Sequence, residues 1–298
     1  MALALPLQAL APAKLNLFLH VGRRREDGLH EICSLFCSIT LADVLTAERA
    51  AGAGDEVICP GVPEPNLAGV ALARFRERFE PELPPLQISI DKRIPVAAGL
   101  GGGSADAAAT LRLAVAASGL EPTDDELTEL AMSIGADVPS QLRPGMHLVT
   151  GAGERVEPLQ APPALAFVLL TAGSLSTAQV YARAEGMGLT ERDLTDLAAR
   201  LRAAVADGGS PAAIAPLVHN DLQRAALALA PATKSALVAL DEAGAVAAAV
   251  SGSGPTAFGL FASGSEAAAA RRRLEEEWEG ETILAASVPE GYGDPEPV

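Results

Sequence analysis

The stretch that most constrains this chain is Pro95–Leu111, PVAAGLGGGSADAAATL. A segment of near-alternating polarity, Leu86-Gln-Ile-Ser-Ile-Asp91, runs into it as a strand, and an alanine-rich helix leaves it. Between them stand Gly99, Gly101, Gly102 and Gly103, then Ser104. Such a run lets backbone N–H groups approach a ligand that side chains would push away. The following helix adds unpaired N–H groups and the positive end of its dipole, so the junction favours an anion, most often phosphate. The candidate phosphate segment is therefore Pro95, Val96, Ala97, Ala98, Gly99, Leu100, Gly101, Gly102, Gly103, Ser104 and Ala105. No Gly-Lys-Ser/Thr follows the glycines, which excludes a Walker A loop, and Ser104 stands where a dinucleotide fingerprint needs its third glycine. The competing reading is a glycine-rich turn without a ligand; the absence of any bulky residue from Gly101 to Thr110 argues against it.

The 298 residues suit two domains, or one large α/β unit. With Lys plus Arg at 22 and Asp plus Glu at 38, the formal net charge is −16. An acidic chain lacks the basic footprint that duplex nucleic acid requires, so no nucleic-acid partner is expected. An anionic substrate must instead be held by helix ends, a few basic side chains and a metal ion. Cys33, Cys37 and Cys59 have no paired spacing, which points to a reducing cytoplasm rather than a disulfide framework. The apolar start MALALPLQALAPAKL lacks a basic leader and is broken at Pro6, and no apolar run of eighteen residues follows, so no membrane span is expected.

Along the chain, Lys14-Leu15-Asn16-Leu17-Phe18-Leu19 alternates as a half-buried strand would, with Lys14 and Asn16 on one face. On spacing alone, that face is as readily solvated as functional. Arg23–His30 is a polar turn closed by Asp27-Gly28, ahead of a second apolar run at Ile32–Leu41. Ala51–Pro65 reads as a Gly/Pro-rich connection, and Asn66–Phe79 as a helix capped by Asn66. Pro122–Gly135 starts as a helix with acidic residues at its positive end, followed by Ala136-Asp137-Val138-Pro139. By itself that last segment is a turn before a proline. A break falls near Gly151–Pro163, and Leu165–Leu170 reads as a buried strand opening a second unit. Helices follow at Ser174–Ala184 and Asp193–Ala206, then a strand at Val246–Ser251 entering Gly252-Ser-Gly-Pro-Thr256, with Thr256–Phe261 as its partner. Ser265–Glu277 is a charged helix, Thr282–Ser287 a closing strand, and the acidic tail is expected to fray.

Pro95-x-x-x-Gly99-Leu-Gly-Gly-Gly-Ser104 closely resembles the phosphate loop of the GHMP kinases, the superfamily of galactokinase, homoserine kinase and mevalonate kinase. Gly135-Ala-Asp-Val-Pro139 and Ser251-Gly-Ser-Gly-Pro-Thr256 resemble its second and third motifs, in the same order. Ala11-Pro-Ala-Lys-Leu-Asn-Leu17 and Asp27-Gly-Leu-His30 resemble the acceptor motifs of the branch whose substrate is a cytidyl diphosphate of a methylated erythritol. The resemblance spans essentially the whole chain. It implies an α+β fold of two domains: a ribosomal protein S5 domain 2-like unit over residues 1–160 and a ferredoxin-like unit over 161–298. It also implies phosphoryl transfer from ATP, with Mg²⁺, to a hydroxyl of that small-molecule substrate in isoprenoid precursor synthesis.

Residue by residue, the resemblance gives Lys14 and Asp137 catalytic roles and puts Asn16 and Thr177 at the acceptor. His30 then contacts the cytosine, Leu29 replaces a family tyrosine, and Tyr181 supplies the second face of the base sandwich. Ser104 is the candidate oxygen for phosphate or Mg²⁺. A free Asp is a weak base towards an alcohol, so Asp137 is read as an orienting group that takes the proton late, with Lys14 offsetting charge. A monomer or weak homodimer is expected. Two alternatives stay open: a homoserine- or mevalonate-type acceptor, and a nucleotide-binding sensor without turnover.

Overall fold

Two long antiparallel strands, β1 (Leu7–Arg24) and β2 (His30–Arg49), frame the first part of the chain. In the computed structural model, which describes residues 2–62, 65–160, 164–171, 173–190, 193–206 and 209–298, they are followed by β3 (Glu56–Ile58), α1 (Leu67–Phe79), β4 (Leu86–Asp91), α2 (Gly102–Ser118), α3 (Asp124–Ile134), α4 (Val138–Gln141), β5 (Met146–Gly151) and β6 (Arg155–Leu159). Next come β7 (Ala166–Thr171), α5 (Thr177–Gly186), α6 (Leu197–Ala206), α7 (Pro211–Ile214), β8 (His219–Asn220), α8 (Gln223–Leu229), α9 (Ala232–Glu242), β9 (Ala247–Val250), β10 (Ala257–Phe261), α10 (Gly264–Glu277), β11 (Glu281–Ala286) and β12 (Glu296–Pro297).

The first sheet runs β12-β1-β2-β4-β3, with the β5–β6 hairpin attached to β2 and β8 attached to β1. Its core is closed by α1, α2 and α3, where Leu72, Phe75, Leu111 and Leu113 are buried with a row of α2 alanines. Alanine at these positions lets α2 pack closely against β1 and α1. Asn66 caps α1 by accepting from the Ala68 N–H at 2.9 Å. Thr123 and Glu126 form a capping box on α3. The second sheet is β11-β7-β10-β9, antiparallel throughout. With helices between β7 and β9 and α10 between β10 and β11, it follows the βαββαβ pattern of ferredoxin-like units. The α+β expectation holds.

Three departures from the sequence reading are physical. β1 is not half-buried: Lys14 and Asn16 are 4% and 2% exposed, because other elements cover both faces of the strand. The region read as a break holds the β5–β6 hairpin up to Leu159; the rest of that break and the expected boundary after 160 abut residues 161–163, outside the described residues. The tail is docked rather than frayed. Arg112 donates to the Gly293 carbonyl at 2.6 Å, the Leu10 N–H does so at 3.2 Å, and β12 pairs with β1.

A buried tie joins the two parts. The Asp221 carboxylate accepts from His20 Nδ1 at 2.7 Å, from the Val21 N–H at 3.0 Å and from His219 Nε2 at 2.8 Å. Burial works against this carboxylate, but the His20, His219 and Val21 donors outweigh it and hold its pKa well below the usual range. Next to it, Asn220 Nδ2 donates to the carbonyls of Val250 at 2.7 Å and Gly252 at 2.8 Å, fixing the C-terminal glycine loop.

Candidate active site

A cleft of about 440 Å³ opens between the two parts of the chain, at the N-terminus of α2. Pro95 to Leu100 form one wall. This segment is pinned from three sides: Leu100 carbonyl accepts from the Lys14 N–H at 2.9 Å, Ala98 from Thr256 at 3.3 Å, and Ala97 from Leu175 at 3.3 Å. Ala97 and Gly99 both take positive φ, 55° and 78°. Gly101, at φ 71°, is the residue before the helix, and no side chain caps α2 there. No acidic residue sits in its first turn. The first N–H groups of a helix have no internal partner, so those of Gly102, Gly103 and Ser104, all of which line the cleft, are open to an anion.

The glycines serve different ends. A Cβ on Gly99 would stand 2.4 Å from the Ser251 carbonyl oxygen and 2.8 Å from the Gly254 nitrogen, so this glycine exists for the docking of the two glycine loops. A Cβ on Gly101 would meet Lys14 Cγ at 3.0 Å, and one on Gly102 would meet Ile94 at 3.0 Å and Lys92 Nζ at 3.1 Å. Gly103 alone has only ordinary contact, with Leu67 at 3.6 Å. Ala105 does not line the cleft; it is buried in the helix core, and its N–H bonds to the Gly101 carbonyl at 2.9 Å.

Lys14 and Asp137, far apart in sequence, meet here with Nζ and Oδ2 at 3.8 Å. Lys14 Nζ donates to Asn16 Oδ1 at 2.6 Å and lies 4.9 Å from the centre of the Phe36 ring. Asn16 is held in turn: its Nδ2 donates to Ser34 Oγ at 3.0 Å, and its backbone N–H donates to Ser251 Oγ at 3.3 Å. Ser251 Oγ also donates to the Gly99 carbonyl at 3.1 Å. Burial lowers the Lys14 pKa, and the neighbouring Asp137 charge opposes that shift. Asp137 precedes α4 but its side chain makes no capping bond, so the carboxylate, 38% exposed, is free to face the cleft.

Thr177 and Tyr181, on α5, also line the cleft, and the Thr177 and Ser253 hydroxyls are 3.0 Å apart. His30 and Leu29 do not line it. His30 is buried against Tyr181, with ring centres 5.3 Å apart, while Leu29 is 46% exposed in the turn before β2. Sequence reasoning missed Ser251 as a hydrogen-bonding hub, and Lys92, Asp43 and Asp106. Lys92 Nζ bridges Asp43 at 2.5 Å and Asp106 at 2.7 Å. Burial pushes the Asp106 carboxyl up to about 7, with Lys92 opposing and Asp43 adding to the rise. A lone lysine after a strand carries no sequence signal for such a bridge.

Comparison with known proteins agrees with this geometry. Residues 66–145 match the family model described as GHMP kinases N terminal domain, and 197–280 match GHMP kinases C terminal. A 4-diphosphocytidyl-2-C-methyl-D-erythritol kinase of Granulibacter bethesdensis is 40% identical over 266 residues, covering 85% of this chain and 84% of its own. One of Nocardia farcinica is 38% identical over 293 residues, covering 95% and 94%. A solved 4-(cytidine 5'-diphospho)-2C-methyl-D-erythritol kinase superimposes with a TM-score of 0.77 at 34% identity, covering 95% of this chain and 100% of its own. A homoserine kinase from Cytophaga hutchinsonii reaches 0.74 at 18% identity, covering 99% and 98%, which is a likeness of fold. With its glycine cradle, its Lys14–Asp137 pair and these relatives, the chain belongs to the GHMP kinases, in the family of 4-diphosphocytidyl-2-C-methyl-D-erythritol kinases.

Proposed function

We propose that this chain transfers the γ-phosphoryl group of ATP to the 2-hydroxyl of 4-diphosphocytidyl-2-C-methyl-D-erythritol. The observation that carries the reading is the meeting of Lys14 and Asp137 at 3.8 Å in the same cleft as the uncapped α2 N-terminus. Phosphoryl transfer has a loose transition state, so the protein mainly positions groups and neutralises charge. The N–H groups of Gly102, Gly103 and Ser104 take the ATP phosphates. Asp137 accepts a hydrogen bond from the acceptor hydroxyl, aligns its oxygen, and takes the proton late. The Lys14 ammonium, fixed by Asn16, offsets negative charge at that oxygen. Thr177 and Tyr181 bound the acceptor side, with Leu29 and His30 beside the cytosine.

Mg²⁺ fits the oxygens present, since it takes one or two protein ligands together with phosphate oxygens and water. Ser104 Oγ and the Asp137 carboxylate both border the cleft and would hold it. When bound, the ion neutralises the phosphate oxygens. We read residues 1–160 as the unit with the phosphate loop and 161–298 as its C-terminal partner, working in a reducing cytoplasm as a monomer or weak homodimer. Among the described residues, no helix is long and apolar enough to cross a membrane.

The test is ATP consumption with the cytidyl substrate, with mevalonate, with homoserine and with no acceptor. Turnover confined to the cytidyl substrate is expected. Equal or faster turnover of mevalonate or homoserine would overturn the acceptor assignment, and ATP binding without turnover of any acceptor would favour a sensor.

A further inference from the structure

We propose that His20, His219 and Asp221 form a binding site for one Zn²⁺ ion, outside the cleft, that clamps β1 to β8. The site is independent of the acceptor assigned above.

β8 pairs with β1 in parallel, with Phe18 opposite His219 and Leu19 opposite Asn220. The Asp221 N–H continues the pairing by donating to the Leu19 carbonyl at 2.9 Å. That register brings His20 beside Asp221, and the two-residue step from His219 to Asp221 returns their side chains to one face. Three potential ligands therefore converge from two distant segments. His20 Nδ1 lies 2.7 Å from one Asp221 oxygen and His219 Nε2 lies 2.8 Å from the other. The ligand atoms of all three lie within 4.8 Å of one another, and the histidine rings are 4.6 Å apart. None of the three is among the residues that line the cleft.

Two imidazoles and a carboxylate are a zinc donor set, and tetrahedral bonds of about 2.0–2.2 Å place ligand atoms roughly 3.4 Å apart. Protons bridge the ligands here at 2.7 and 2.8 Å, so an ion that takes their place needs only a small rearrangement of the cluster. Each ligating nitrogen gives up its proton as the ion enters. Mg²⁺ prefers oxygen ligands in octahedral geometry and does not suit this set. The carboxylate has the outer support that ligating carboxylates need, since the Val21 N–H donates to Asp221 Oδ2 at 3.0 Å. Phe18 packs its ring 4.4 Å from that of His20 and covers that ligand. His219, 45% exposed, leaves an entry path and room for water as a fourth ligand. A tie made of hydrogen bonds alone is already supplied by His20 and Val21, yet His219 turns from the surface onto the same carboxylate. Asn220, between two of the ligands, holds the Val250 and Gly252 carbonyls, so the ion also steadies the C-terminal glycine loop.

The experiment titrates the chelator-treated full chain with Zn²⁺ by calorimetry, in the absence of ATP, for the wild type, His219→Gln, His219→Ala and Cys59→Ser. One equivalent should bind to the wild type, with a rise in Tm that Mg²⁺ does not produce, because an ion held only by the folded chain stabilises it. Co²⁺ in place of Zn²⁺ should give the strong visible bands of a four-coordinate site. His219→Gln keeps a hydrogen-bond donor beside Asp221 but loses the imidazole, so it separates a metal ligand from a member of a hydrogen-bonded tie. Both His219 variants should bind Zn²⁺ at least about tenfold more weakly and lose the Tm rise, and Cys59→Ser, which removes the least buried thiol, should bind as the wild type does. No stoichiometric binding by the wild type overturns the proposal. So does wild-type affinity in His219→Gln, or binding that disappears in Cys59→Ser, which would put the ion on a thiol instead.

Discussion

The two ends of the cleft are built by opposite means. The phosphate end is made of backbone: N–H groups of Gly102, Gly103 and Ser104, and a loop held by the carbonyls of Ala97, Ala98 and Leu100. The acceptor end is made of side chains from distant segments: Lys14 and Asn16 on β1, Asp137 before α4, Thr177 and Tyr181 on α5. A backbone site depends on conformation, so it breaks when a Cβ is added. A side-chain site depends on tertiary contacts, so it breaks when one partner is removed, and it titrates.

The largest effect is expected at the seam between them. Gly99→Ala places a methyl group 2.4 Å from the Ser251 carbonyl, at φ 78°, where neither neighbour is a flexible side chain. A left-handed penalty and overpacking should together cost about 2–4 kcal/mol, seen as a lowered Tm, and ATP binding should be lost. A variant with wild-type Tm would mean the two glycine loops are not docked as described. Gly101→Val comes next. The fold should survive, but Cβ lies 3.0 Å from Lys14 Cγ at φ 71°, so ATP affinity by calorimetry should fall at least about tenfold as the loop shifts. Unchanged affinity would detach this loop from the phosphates.

How far each end could be read follows from the same difference. The cradle was legible because strand, glycines and helix are contiguous, and contiguous conformation is what local sequence encodes. Lys14 and Asp137 were legible only through motif resemblance, since nothing local says that residues 14 and 137 meet at 3.8 Å. Ser251 acquired its role only in three dimensions, from a partner at a separation of more than 150 positions. The β5–β6 hairpin was hidden because Arg155–Leu159 carries Pro158 and charges; among the described residues β6 pairs only with β5, and an edge strand tolerates both. The tail looked frayed because its acidic, Pro/Gly-rich composition says nothing of Arg112 waiting for the Gly293 carbonyl.

A smaller effect sharpens the acceptor end through its titration. Burial lowers the Lys14 pKa from its ordinary 10.5, so the alkaline limb of the kcat/KM profile should fall below that pH if the ammonium form is required. Replacing Asp137 by Asn removes the charge that supports Lys14, so the limb of any residual activity should move to lower pH. The stability sign follows. In the window below 10.5 the unfolded chain binds more protons at Lys14 than the folded one, so wild-type stability relative to Lys14→Met should rise with pH. A pH-independent difference between the two proteins would contradict the buried ammonium. The smallest effect belongs to Ser251→Ala. It removes the hydroxyl between the Asn16 N–H and the Gly99 carbonyl, and should cost about 1–3 kcal/mol of stability, with KM for both substrates moving together because the residue serves both ends. A change confined to one substrate would separate the ends it is taken to join.

The most direct test of the central claim is single-turnover phosphoryl transfer by Asp137→Asn with both substrates bound. Asn keeps the shape of the side chain but cannot take the proton, and positioned proton transfer contributes about 10²–10⁴-fold. Both substrates should bind within about threefold of wild type, and the transfer step should slow by that factor. Transfer at a near wild-type rate would remove Asp137, and with it the Lys14–Asp137 pair, from the chemistry of this cleft.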